Sequence, residues 1–131
     1  MERLGFHHLA IQVHDLERAE AFYAGLLGLP VIRRGADEAG APRSIWVGLA
    51  GGGFLALERC PEPAAAEGPF AAPEPCHLLV ALSIEPGTRE GWEARLAAAG
   101  FPKEKETAFT FYVRDPDGNR IGLSHHPHPG G

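Results

Sequence analysis

The sequence predicts an α+β fold: two βαβββ modules, each a curved mixed sheet, arranged around a shared cavity. Three observations carry this reading. Strand-period and helix-period apolar patterns follow the order strand, helix, strand, strand, strand, twice over. The two rounds align: HLAIQV (8–13) with HLLVAL (77–82), and IWVGLAGGGFLALE (45–58) with FYVRDPDGNRIGLS (111–124). Both predicted helices end in glycine, an apolar residue and proline, at Gly28-Leu29-Pro30 and Gly100-Phe101-Pro102. A repeat of about 60 residues in two copies is too long and too few for a solenoid.

Each element has a local cause. From His8 to Val13, apolar Leu9, Ile11 and Val13 alternate with His8, Ala10 and Gln12, the pattern of a half-buried strand. Asp15 is placed to cap a helix in which Leu16, Ala19, Phe22, Tyr23, Leu26 and Leu27 recur at helical spacing. Gly28 stops it. Strands are expected at 30–34, 44–49 and 54–58, the last two joined by the glycine-rich hairpin 50–53. Proline and alanine dominate 61–75, a linker. In the second module, strands are expected at 77–84, 103–107, 109–114 and 120–124. Thr88 can cap a helix running to Ala99, with Trp92, Leu96 and Ala99 on one side, and DPDGN (115–119) is a strong turn. The domain plan is thus one domain over 1–131: module 1 at 5–60, linker 61–75, module 2 at 76–125 and a frayed tail at 126–131.

Bulk composition bounds the function. The chain has 131 residues, 44% of them hydrophobic, and a net charge of −5, enough for one core and unsuited to nucleic acid or an anionic membrane. No apolar run nears the roughly 20 residues of a membrane span, and MERLGFHH lacks a signal-peptide layout, so the expected compartment is the cytoplasm. Cys60 and Cys76 flank the linker; reduced thiols fit that compartment, and a disulfide stapling the linker is the alternative.

Strand parity gives a cavity face. If Leu9 and Val80 pack on helices, His8, Ala10 and Gln12 face the cavity from one strand and His77, Leu79 and Ala81 from its twin. Phe54, Ala56 and Glu58 join them, as do Arg120, Gly122 and Ser124. Trp46 and Tyr112 are aligned by the repeat and suit a cavity wall.

The order and spacing of these motifs resemble the vicinal oxygen chelate superfamily, the glyoxalase, bleomycin-resistance and extradiol dioxygenase group. The residues that carry the resemblance are His8-LAIQV-His14-Asp15-Leu-Glu, Phe22-Tyr23, Leu27-Gly28-Leu29 and Phe111-Tyr112-Val-Arg-Asp115-Pro-Asp-Gly-Asn119, spanning His7 to Leu123. The resemblance implies paired βαβββ modules, often a homodimer, and a divalent metal held at four pseudo-symmetric strand positions. His8 and His77 fall on two of them. The other two, usually carboxylates, fall on Ala56 and Gly122, which carry none. The family's active-site tyrosine, where present, falls on Tyr112.

Two imidazoles at matching strand starts suit Fe, Mn, Ni, Zn or Co ions. Glu58 is the candidate third ligand or general base, Tyr112 a donor to a substrate oxygen, and Arg120 an anchor for a carboxylate or phosphate. Gln12, Trp46, Phe54, Ala56, Gly122 and Ser124 complete the expected substrate wall, Ala56 and Gly122 leaving room for a ligand. Two functions follow. One is a metal-dependent lyase, isomerase or dioxygenase acting on a small oxygen-chelating metabolite. The other is a metal-free protein that binds a small, antibiotic-type molecule.

Overall fold

The computed structural model describes residues 6–60 and 79–129. The chain divides into two compact units, Met1–Ala66 and Glu67–Gly131. The predicted linker, His77, Leu78 and Cys76 lie outside the described residues.

Unit 1 contains β1 (His8–Val13), a helical segment (Leu16–Leu26), β2 (Val31–Ala36), β3 (Pro42–Gly48) and β4 (Phe54–Arg59). The sheet order is β1-β4-β3-β2, with β1 and β4 parallel and the other pairs antiparallel. β4 is central, flanked on both sides, so Phe54 to Leu57 are all buried. Ile11, Val13, Ile45, Val47, Leu55 and Leu57 point to the helix side and form a core with Leu16, Ala19, Phe22, Tyr23 and Leu27.

The helical segment begins as expected. The Asp15 carboxylate accepts from the Arg18 amide at 3.0 Å. After α1 (Leu16–Glu20), however, the chain widens into a π-helix, Ala21–Leu26, where the spacing predicted one uninterrupted α-helix. Leu27 N donates to Phe22 O, five residues back. This turns both Phe22 and Tyr23 into the core.

Unit 2 repeats the plan with β5 (Val80–Ser83), α2 (Arg89–Ala98), β6 (Lys105–Glu106), β7 (Thr110–Arg114) and β8 (Arg120–Ser124). Its order is β5-β8-β7-β6, again with the first strand of the unit parallel to the last and the other pairs antiparallel. Phe111, Val113, Ile121 and Leu123 are buried with Leu96 of α2. Thr88 does not cap α2: its hydroxyl donates to Glu85 O at 2.6 Å. Ala99 is exposed, so Leu96 alone of the predicted stripe is fully buried.

The two hairpins preceding β4 and β8 share a backbone. Leu49 N donates to Gly53 O at 2.8 Å, and Asp115 N to the equivalent Asn119 O at 2.9 Å. Gly52 (φ 99°) and Gly118 (φ 89°) occupy the same left-handed position. His125 is buried, and its backbone N–H donates to Phe109 O.

Candidate functional site

On unit 1 the register assembles one sheet face opposite the core. His8 pairs with Phe54, Ala10 with Ala56, and Gln12 with Glu58. Across β4, Trp46 pairs with Ala56 and Ser44 with Glu58. These residues share one sheet face, as strand parity requires. Its rings pack in near-parallel planes: His8 lies 4.8 Å from Phe54 at 6°, and Trp46 lies 4.2 Å from Phe54 at 19°. Phe54 is consequently 6% exposed even though it belongs to the open face. Arg33 extends the row, its guanidinium 4.8 Å over the Trp46 ring.

Arg33 was not legible as a face residue. A β-bulge between Val31 and Arg33 flips the parity of β2, pairing Arg33 with Trp46. His7 is exposed and adjoins the row through His8. The Nδ1 atoms of His7 and His8 are 2.8 Å apart, so one donates and the other accepts. The His7 ring also meets Phe54 edge-on at 5.5 Å.

The expected polar groups stand apart from this aromatic row. Glu58 is half-buried beside Gln12, four residues along β4 from His8's partner, a displacement of roughly 13 Å. Ala56 is buried between Ala10 and Trp46, with no donor. His14 has its Nδ1 3.6 Å from the free thiol of Cys60. A cavity of about 640 Å³ opens on the helix side, and most of its charged groups are already paired. There Arg34 clasps Glu20 with two bonds of 2.8 and 2.7 Å, holding that carboxyl below its ordinary range through the hydrogen bond from Arg34.

The corresponding face of unit 2 is filled differently. A Cβ at Gly122 would lie 3.1 Å from Tyr112 Cε1, 3.2 Å from Tyr112 Cδ1 and 3.2 Å from the Thr110 methyl. The room expected above Gly122 is therefore taken by the Tyr112 ring. Ser124 Oγ accepts from Thr110 Oγ1 at 2.8 Å. Arg120 Nε is 3.4 Å from Glu104, which also binds Arg114 at 3.0 Å. The DPDGN segment is the turn it was expected to be. Buried Asp115 accepts from the amides of Asp117 and Asn119 and from Asn119 Nδ2, at 2.8–2.9 Å.

The donor set tests whether a metal fits. Of the two expected ligands, His8 is described and His77 lies outside the described residues. Neither Ala56 nor Gly122 has a donor, and among the described residues no three His, Cys, Asp or Glu side chains converge as a metal site. The described residues do not fit a catalytic metal centre, which commonly takes three protein ligands.

Residues 5–123 match the family model of the Glyoxalase/Bleomycin resistance protein/Dioxygenase superfamily. The chain belongs to that superfamily. Among solved structures it is similar to a glyoxalase/dioxygenase from Nostoc punctiforme, at 19% identity, TM-score 0.77, covering 95% of this chain and 92% of the other. It is similar to lactoylglutathione lyase from Agrobacterium tumefaciens, at 20% identity, TM-score 0.67, covering 95% and 96%. It is also similar to the fosfomycin resistance protein FosX from Listeria monocytogenes, complexed with Mn(II) and sulfate, at 18% identity, TM-score 0.71, covering 95% and 93%. No curated protein sequence matches it. At these identities the likenesses describe the fold, the paired βαβββ modules of the superfamily. No helix among the described residues is long and apolar enough to cross a membrane.

Proposed function

We propose that this superfamily member binds a small unsaturated or aromatic molecule against the face of its first sheet, with no resident metal. One observation carries the proposal: the two positions where the family places carboxylates are closed, Ala56 by burial and Gly122 by the Tyr112 ring. What remains on unit 1 is a row of π surfaces, His8, Phe54 and Trp46, with the Arg33 cation at its edge. Such rings offer apolar area and a quadrupole at little entropic cost. His8 contributes a ring face and, with His7, a hydrogen-bonding edge.

The second reading is a metal-dependent lyase, isomerase or dioxygenase acting on a small oxygen-chelating metabolite. His8 at the first-strand position favours it, and so does the Mn(II) complex of the similar FosX. Bound there, a divalent ion would supply Lewis acidity. Against it stand the distance of Glu58 from His8 along the sheet and the pairing of Arg120 with Glu104. A homodimer in the cytoplasm is part of the same proposal, checked by analytical ultracentrifugation and by fractionation of the native host.

Trp46 reports directly on the proposed face. Trp92→Phe removes the second tryptophan, and a panel of planar small molecules is titrated against the remaining fluorescence. Saturable quenching, weakened about tenfold by Phe54→Leu with circular dichroism reporting a retained fold, supports binding there. Quenching that ignores Phe54→Leu overturns it.

A further inference from the structure

The bulge in β2 does more than bring Arg33 beside Trp46. It turns two successive side chains to the open face of the first sheet. Gly48 shares the parity of Trp46 on β3, and a Cβ on it would lie 3.2 Å from Ile32 Cγ2, so Ile32 stands over that face. Arg33 stands over it as well, its guanidinium 4.8 Å from the centre of the Trp46 ring. In a regular strand these two neighbours would point to opposite sides. The face thus carries an apolar group and a cation next to each other at the edge of its ring row. Ile32 is 53% exposed, so its surface is open to a ligand.

The two arginines of β2 differ in how their charge is met. Arg34 clasps Glu20 with two hydrogen bonds. Arg33 has no ion pair or hydrogen bond among the described residues, and its contact is with the Trp46 ring. That contact uses the charge of the guanidinium and leaves its N–H donors to meet an oxygen. Water satisfies an exposed arginine, so Arg33 requires no occupant. What it sets is the order of preference among molecules that lie on the rings.

The acid on this face is at the other end. Glu58 is level with Ser44, whereas Ile32 is beside Gly48, four residues or roughly 13 Å away along β3. A ring laid against Trp46 and Ile32 therefore has a cation beside it and a carboxylate far from it. One guanidinium matches one carboxylate, two N–H donors to two oxygens in a plane. A phosphate dianion would need a second cation, and an ammonium would meet like charge. We infer that this face selects aromatic carboxylates, with Arg33 binding the carboxylate and Ile32 flanking the ring. This selectivity rests on the reading of the face as a binding surface.

The test is an NMR titration of the full chain carrying Trp92→Phe, following the Trp46 indole N–H at constant ionic strength. Three probes share one ring and differ in charge: indole-3-acetate, indole-3-acetamide and tryptamine. The acetate is expected to bind about fivefold more tightly than the acetamide, with tryptamine the weakest. Arg33→Gln, at an exposed position, should bring the acetate to the level of the acetamide, whose own affinity changes little. Equal affinities for acetate and acetamide in the chain with Arg33 intact would overturn the selectivity and leave the binding surface standing. A preference for the acetate that survives Arg33→Gln would overturn it too. If none of the three probes shifts the Trp46 signal, the binding surface itself is disproved, and the selectivity with it.

Discussion

The two sheets share one backbone plan and present different faces. Both pair an edge strand in parallel with the last strand of the unit and add an antiparallel meander and a hairpin with a left-handed glycine, Gly52 in one and Gly118 in the other. On unit 1 the central strand offers Phe54, Ala56 and Glu58, and the face is a row of stacked rings. On unit 2 the equivalent strand offers Arg120, Gly122 and Ser124, and the face is closed by Tyr112, the Thr110–Ser124 bond and the Glu104 ion pairs. The backbone repeat fixes where a side chain can stand. The size of the residue at each position decides whether that place becomes a ligand, a wall or a lid. The hairpins differ in the same way: the first is rich in glycine, whereas the second adds a carboxylate that binds three N–H donors.

The strongest way to break this comparison is to remove that carboxylate. Asp115→Ala should cost about 3 kcal/mol in denaturant unfolding, because it removes the acceptor of three N–H donors, two of them in buried bonds. Leu49→Ala, at the equivalent position of unit 1, should cost below about 1 kcal/mol. Equal losses would mean that the turns are held alike.

Gly122→Glu comes next. Placing a side chain within 3.1–3.2 Å of Tyr112 and Thr110 should destabilise by about 2–3 kcal/mol. Adding Tyr112→Ala should recover part of the loss, measured as a melting temperature. No recovery would mean that Tyr112 is not what closes the position. For the hairpin glycines, Gly52→Ala and Gly118→Ala should each cost about 1 kcal/mol, and by similar amounts. A large disparity would separate the two turns.

The smallest effect is in acid. Hydrogen bonds from Arg89 and Lys103 hold the Glu93 carboxyl below 4.5, and the bond from Arg34 does the same for Glu20. A lowered folded value stabilises above the unfolded value and is lost as pH falls through the folded one. Stability should therefore decline below about pH 4.5. Glu93→Gln should flatten that decline more than Glu20→Gln, because the Arg89 side chain is 12% exposed and the Arg34 side chain 59%. Urea midpoints across pH check both.

Much of this was legible from alternation. β1, β4 and β8 begin where the pattern begins, and Leu55, Leu57, Ile121 and Leu123 pack inward as parity requires. Family membership followed from motif order. The bulge in β2 was not legible, since no residue in PVIRR marks it, and with it Arg33 was missed as a neighbour of Trp46. The π-turn over Ala21–Leu26 was hidden because its apolar spacing also fits an α-helix. The closing of Gly122 depends on where the Tyr112 ring lies, which strand parity does not specify. The burial of His125, the last residue of the second module, was not legible because the histidine- and proline-rich end has no periodicity, yet it continues the β8 track into the core.

The central claim is that the vacated carboxylate positions make this a metal-independent binder. The direct measurement is elemental analysis of untagged protein after incubation with Fe²⁺, Mn²⁺, Ni²⁺ and Zn²⁺ and gel filtration, on the wild type and on His8→Ala. The expected result is metal far below stoichiometry and the same in both proteins. One equivalent in the wild type that is lost in His8→Ala would contradict it.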